Sequence, residues 1–328
     1  MEVIKKKIVY SGNKNIDYKK AFHIVFGIDN DFVRPMGVLM TSIVVNNSKE
    51  NIVFHIITRN IDTEQLKYLA SFSNKYFIDI NIYIIDSNYF KNLPTTSYIS
   101  QATYNRFLIP LLLKGITSKV LYLDADIICL GNIKQIFNIK LDNITAGVIE
   151  ESNNYVVQQQ IKNLELQSNK YFNAGVLYIN IDRWIERDIN AKIINIINTR
   201  NNLEFMDQDI LNIVLEDDCK YIDKIYNYTF DVRYKINRYV YDLPKNIVFL
   251  HYVGKFKPWQ EWCLHPAREF FREYAIKSLW KDIPWSKPVT YKDMKNMALS
   301  YKIYKYKLKS IYWYLRYAIK KIKTKVSK

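Results

Sequence analysis

Two carboxylates close the apolar run Lys119-Val-Leu-Tyr-Leu-Asp-Ala-Asp126. Side chains alternate along a strand, so residues two apart share a face. Asp124 and Asp126 therefore aim at one spot just past a strand predicted over 120–123. Two ionised carboxylates held together repel, and burying them unpaired is costly. A divalent cation shared with phosphate oxygens resolves that conflict. The pattern thus points to a metal holding a phosphorylated substrate. The plainer alternative is a turn with an Asp helix cap. The flanking apolar run favours the site, because open α/β sheets bind ligands at the carboxyl ends of their strands.

The elements that must position this pair follow from the periodicity. Apolar strands are predicted at 23–29, 53–58, 80–85 and 120–123. Helices are predicted between them at 37–47, 62–72 and 102–113, the last interrupted by Pro110. Such alternation is the signature of a parallel, doubly wound α/β sheet. Beyond residue 133 the pattern is mixed. Strands are predicted at 146–149, 175–180 and 246–251, and helices at 183–198 and 208–214. His251 ends the last of these strands.

The 328 residues are 49% hydrophobic and 15% aromatic, which supports a real core and excludes disorder. Cys129, Cys219 and Cys263 are odd in number and widely spaced. That argues against a disulfide framework and for a reducing compartment. The basic N-terminus turns polar too soon for a signal-peptide core. No apolar stretch has the length of a membrane span. A cytoplasmic protein is expected.

The net charge of +16 is uneven. Residues 301–328 carry ten Lys or Arg and no acid, so all but +6 of the total lies there. Leu308, Ile311, Leu315, Ile319 and Ile322 recur at helical spacing within this segment, interleaved with lysines and aromatics. This predicts a basic amphipathic helix suited to an anionic membrane surface. The expected organisation is a main domain over 1–285 and a basic aromatic helical extension over 286–328, peripherally bound to the inner face of the cell membrane. A solvated helix packed on the body is the plainer alternative. Single-stranded nucleic acid is a rival anion, but none is expected as a partner.

Six patterns occur in order: His23-Ile-Val-Phe-Gly-Ile-Asp-Asn-Asp-Phe32, Thr103-Tyr-Asn-Arg-Phe107, Val120-Leu-Tyr-Leu-Asp-Ala-Asp126, Phe172-Asn-Ala-Gly-Val176, Asp207-Gln-Asp209 and His251-Tyr-Val-Gly-Lys-Phe-Lys-Pro-Trp259. Each is weak alone. Together, over about 22–285, they resemble the family 8 retaining glycosyltransferases, most of all the bacterial lipopolysaccharide glucosyl- and galactosyltransferases. The resemblance implies a GT-A fold, a Rossmann-like mixed sheet flanked by helices. It implies a UDP-hexose donor, Mn²⁺ or Mg²⁺, and retention of anomeric configuration. It also implies a lipid-linked oligosaccharide acceptor.

By that resemblance Asp124 and Asp126 would ligate the metal, with Ala125 between them at the donor. His251 would be a third ligand through a neutral imidazole, a set that suits Mn²⁺ somewhat better than Mg²⁺. Lys257 would reach phosphate as a point charge, and Gly254 would allow close backbone approach. Gly27, Ile28 and Asp29 would meet uracil or ribose. The family often has Asn-Tyr two and three residues after this Asp. Asp31 and Phe32 stand there instead, so the ring can still stack on the base but brings no hydroxyl to it. Arg106 would reach the donor, with a core salt bridge as its alternative. Asn173, Ala174 and Gly175 would surround the sugar. Asp207 would orient donor hydroxyls and Gln208 would lie near the open face of the sugar, in place of a nucleophilic carboxylate.

Other functions stay open on the sequence alone. They are a self- or protein-glycosylating hexosyltransferase of the same fold, a basic nucleic-acid-binding protein, and a Mg²⁺-dependent phosphohydrolase. The last lacks a nucleophile loop. Glucose and galactose differ by one hydroxyl orientation, which a sequence cannot resolve. Acceptor choice is expected to lie in loops within about 150–170 and 220–245, where the sequence carries no readable signature.

Overall fold

A computed structural model describes residues 3–13, 16–86, 101–233 and 243–326. The chain divides into two compact units. The first comprises residues 1–228 and 246–250, the second 229–245 and 251–328.

The first unit opens with β1 (Ile4–Tyr10), β2 (Phe22–Gly27), α1 (Val33–Asn46), β3 (Ile52–Thr58), α2 (Thr63–Tyr76) and β4 (Asp79–Ile85). A 3-10 run (Gln101–Leu108) leads into α3 (Ile109–Leu113), β5 (Lys119–Leu123), β6 (Ile127–Cys129) and α4 (Lys134–Phe137). Next come β7 (Ala146–Glu150), α5 (Asn154–Leu164), β8 (Phe172–Asn180), α6 (Ile181–Glu186), α7 (Ile189–Thr199), α8 (Asp207–Val214) and β9 (Cys219–Tyr221). Two short strands fall where the chain passes from one unit to the other, β10 (Tyr228–Thr229) and β11 (Phe249–His251).

Eight strands form one sheet in the order β1-β4-β3-β2-β5-β8-β7-β9. The inner strands β4, β3, β2 and β5 run parallel. Every residue of β3 and β8 is buried, as expected of strands covered on both faces. On one face α1 packs Val38, Leu39, Met40 and Ile43; the other face buries Val25, Tyr104, Tyr122, Leu177 and Trp184. The parallel doubly wound expectation holds only for this inner half. β1 joins β4 antiparallel, and β8 joins β5 and β7 antiparallel, so the sheet is mixed.

Other expectations also change. The basic N-terminal segment forms the edge strand β1, with Lys5, Lys6 and Lys7 exposed; lysines on an edge strand discourage pairing with other chains. The helix predicted over 102–113 begins as a 3-10 run, and Pro110 sits in the first turn of α3, where its missing N–H costs nothing. The helix predicted over 183–198 is two, parted at Asp188, whose φ of 49° is left-handed.

The second unit holds α9 (Arg268–Lys277), α10 (Tyr291–Ile303) and α11 (Lys307–Val326). Thr290 caps α10 in a reciprocal capping box with Asp293. The tail is therefore two helices, parted at Lys305 with φ 63°. The Ser310 hydroxyl donates to the Ala298 carbonyl at 2.9 Å, joining them. Leu308, Ile311, Leu315, Ile319 and Ile322 remain exposed on α11. Among the described residues no helix is long and apolar enough to cross a membrane.

Candidate active site

The site gathers at the carboxyl end of β5. Tyr122 and Asp124 lie two apart, so both face one side. The Tyr122 hydroxyl donates to Asp124 Oδ1 at 2.5 Å. Arg106 Nη2 donates to the same oxygen at 2.9 Å, and its guanidinium lies 4.5 Å from the Tyr122 ring centroid. Two donors thus fix Oδ1, which leaves Oδ2 for a cation. Asp126 lies two residues on, half-buried like Asp124. His251 is buried and ends β11. Asp124, Asp126 and His251 each offer one ligand atom within 4.8 Å of the others. Two carboxylates and an imidazole fit a small divalent cation that also accepts phosphate oxygens.

Arg106 is the hub. Its Nη1 lies 2.9 Å from Asp207 Oδ2 and donates to the Ala174 carbonyl at 2.6 Å. Burial opposes its charge, but Asp207 first, with Asp124 and Asp126, holds it protonated. Burial pushes the Asp207 carboxyl up to about 7, against the attraction of Arg106. Met206 precedes Asp207 with φ 42° and ψ −103°, a strained setting for a residue with a Cβ.

The segment 173–176 explains why these groups meet. Against β7, the register of β8 jumps from Leu177 to Asn173, so Ala174, Gly175 and Val176 bulge out. A bulge loses ladder bonds, and side chains replace them here. Gln208 Oε1 accepts from the Ala174 N–H at 3.0 Å, and Asn173 Oδ1 from the Gly175 N–H at 3.0 Å. The Asp124 N–H donates to the Gly175 carbonyl at 2.8 Å. Gln208 Nε2 reaches the Tyr171 hydroxyl at 3.1 Å, which donates to Asp209 Oδ1 at 2.5 Å.

Beside this, on β2, Gly27 ends the strand and the Ile28 N–H bonds the Ile57 carbonyl at 3.0 Å. Asp29 Oδ1 and Asn105 Oδ1 are buried without a hydrogen-bond partner, an arrangement that calls for a ligand donor. Burial first, then Asp31, raises the Asp29 carboxyl above its usual range. Phe32 is half-exposed and closes the 3-10 turn after Asp29.

In the second unit Gly254 adopts φ +81°, and a Cβ there would stand 3.1 Å from Asp231 Oδ2. Only glycine takes that conformation without strain. Lys257 Nζ donates to the Tyr252 carbonyl at 2.6 Å.

The sequence reading missed five residues, among them Asn105, whose buried Oδ1 is described above. Glu151 accepts from Asn173 Nδ2 at 3.0 Å, and Asn227 donates to Asn173 Oδ1 at 2.9 Å. Tyr122 and Tyr171 carry the bonds given above. Only Tyr122 had a signal: it lies two residues before Asp124 in an alternating strand.

The sequence model of glycosyl transferase family 8 matches residues 23–263. The chain belongs to glycosyl transferase family 8. This family 8 chain is 30% identical over 328 residues to the lipopolysaccharide 1,3-galactosyltransferase of Salmonella typhimurium, covering 98% of itself and 97% of that protein. It is 31% identical over 309 residues to the lipopolysaccharide glucosyltransferase WaaO of Escherichia coli, covering 92% and 91%. The structure of galactosyltransferase LgtC in complex with donor and acceptor sugar analogs matches with a TM-score of 0.67. That match has 24% identity and covers 79% of this chain and 96% of LgtC. The fold is therefore GT-A, and this family 8 chain is a glycosyltransferase.

Proposed function

We propose that this glycosyltransferase moves glucose or galactose from a UDP-sugar to a lipopolysaccharide or related surface-glycan acceptor, with retention of configuration and a divalent metal. The observation that carries the proposal is the convergence of Asp124, Asp126 and His251 within 4.8 Å. Those three would hold Mn²⁺ or Mg²⁺, which supplies Lewis-acid stabilisation to the departing diphosphate. Lys257 would add a point charge to that diphosphate. The unpartnered oxygens of Asp29 and Asn105 would take N–H or O–H donors of the nucleoside, with Gly27, Ile28 and Phe32 around the base.

Arg106 holds Asp124 and Asp207 in place, and Gln208 holds the bulge that would face the sugar. Asp207, Glu151 and Asn173 would orient donor hydroxyls. An amide is a poor nucleophile, so Gln208 favours front-side attack over a covalent intermediate. The bond from the anomeric carbon to the diphosphate breaks, the bond to the acceptor oxygen forms on the same face, and the acceptor's proton passes to the leaving diphosphate.

The names of the two relatives support a lipopolysaccharide-type acceptor. The exposed apolar stripe of α11 and its lysines support docking on the inner, anionic face of the cell membrane. UDP release from a panel of UDP-sugars, with manganese and with EDTA, tests the donor. Proton NMR of the product tests the configuration. Turnover of one UDP-hexose to a product of unchanged anomer supports the proposal; turnover in EDTA, or an inverted product, contradicts it.

A further inference from the structure

Helix α5 carries a crevice that the donor chemistry does not use. It has a volume of about 860 Å³, and its lining includes Tyr155, Gln158, Gln159, Gln160, Asn163 and Glu204. Tyr155 is 73% exposed, and Gln158 and Gln159 follow it at the i+3 and i+4 positions of the same helix face. An exposed ring beside primary amides is a chemistry that suits a sugar. The ring covers the apolar C–H face of a pyranose. Each amide offers a carbonyl acceptor and an N–H₂ donor to neighbouring hydroxyls. The lining carries one cation, Lys162, and one anion, Glu204, so it favours a neutral ligand over a polyanion.

The wall is built rather than loose. Gln160 is buried, donates to Glu204 Oε2 at 2.8 Å, and accepts from Asn163 Nδ2 at 3.3 Å. Asn163 and Asn202 exchange side-chain-to-carbonyl bonds at 2.9 and 2.6 Å.

Two separate routes join this crevice to the donor cluster. At the start of α5, Asn153 Oδ1 caps the Tyr155 N–H at 3.1 Å. Its own N–H bonds Glu151 Oε1 at 3.0 Å, and the other Glu151 oxygen holds Asn173. At the far wall, Glu204 lies three residues before Asp207. The intervening Phe205 N–H bonds Asp209 Oδ2 at 2.7 Å.

We infer that the α5 crevice is a subsite for a neutral hexose unit of the saccharide acceptor, stacked on Tyr155 and hydrogen-bonded by Gln158 and Gln159. This deepens the transferase reading and rests on it for the word acceptor. The crevice's affinity for a saccharide can be tested independently. Saturation-transfer NMR with lactose, maltose and cellobiose, with no donor present, gives that test on the full chain. Wild type is expected to show transfer to at least one disaccharide. Tyr155→Ala and Gln159→Ala lose that signal, whereas Tyr155→Phe retains it because the ring remains. In turnover, Tyr155→Ala raises the acceptor KM about tenfold and leaves hydrolysis of UDP-hexose by water within about twofold of wild type. No transfer to any of the three disaccharides, or an equal signal from Tyr155→Ala, overturns the inference. Tyr155-dependent disaccharide binding without any UDP-sugar turnover would keep the subsite and sink the donor reading.

Discussion

Arg106 and Asp207 form a buried ion pair, 2.9 Å apart, between residues 101 positions distant in the chain. The same guanidinium holds Asp124, so one side chain couples a carboxylate of the candidate metal set to the start of α8. Removing one partner of such a pair leaves an uncompensated buried charge. Arg106→Met is expected to cost about 3–5 kcal/mol in urea unfolding. Arg106→Met with Asp207→Leu should recover more than half of that, because the more deeply buried of the two carboxylates is then removed with its cation and only half-buried Asp124 loses its partner. A single-variant cost below about 1 kcal/mol would show that the pair is not structurally coupled.

Gly254 offers a second test, in the other unit. Its φ of +81° and the 3.1 Å approach to Asp231 oppose any Cβ. Gly254→Ala should destabilise by about 1–2 kcal/mol through left-handed strain alone and weaken UDP-sugar binding measured by calorimetry. Unchanged unfolding would mean that the turn adapts freely.

A buried histidine pair sets a pH dependence. His23 Nε2 lies 2.7 Å from the Tyr18 carbonyl, which only accepts, so this nitrogen carries the proton. His23 Nδ1 then accepts from His55 Nε2 at 2.9 Å, and His55 Nδ1 accepts from the Tyr83 hydroxyl at 3.3 Å. Both rings are neutral in this chain of bonds. Burial lowers the His23 pKa, against the Tyr18 carbonyl; burial, then His23 and Lys7, puts His55 well below its ordinary value. The unfolded chain therefore gains these protons first as pH falls below about 6.5, and each ring costs the fold about 1.4 kcal/mol per pH unit until its folded pKa is reached. Denaturant titrations between pH 7.5 and 5 should show the two rings lowering stability as pH falls, against the buried Asp207 carboxyl, which is raised to about 7 and contributes the opposite slope. The slope should be shallower for His23→Gln with His55→Gln. Parallel slopes would refute the assignment.

For the tail, Leu315→Glu with Ile319→Glu changes two exposed positions of α11. Flotation with vesicles containing phosphatidylglycerol should show loss of binding, and high salt should weaken wild type because the lysines contribute about 1 kcal/mol each near headgroups. Equal flotation of variant and wild type would exclude the helix as the contact.

Much of this was legible because it is local. The period-two spacing of Asp124 and Asp126, and the apolar runs of β2, β3, β4 and β5, follow from the alternation of a strand. β1 was not legible: as an edge strand it exposes three successive lysines, which erase the apolar pattern. The bulge at 174–176 was not legible, because one of the two side chains that replace its ladder bonds, Gln208, comes from 34 residues away. A core salt bridge was one of the two readings of Arg106, but its partners could not be named, since the pairs with Asp124 and Asp207 span 18 and 101 residues. Asp188 and Lys305 broke predicted helices through a left-handed turn that neither residue type announces. Residues 234–242, within a loop expected to govern the acceptor, lie outside the described residues.

The proposed function depends most on Asp124, Asp126 and His251 holding the cation that the donor needs. Manganese binding followed by electron paramagnetic resonance, with UDP present, tests this on wild type and Asp126→Asn. A single tight site is expected in wild type. In the variant, affinity should fall by at least the ~10–100-fold typical of disturbing a metal's outer shell, with unfolding unchanged. Equal manganese affinity in the two proteins would contradict it.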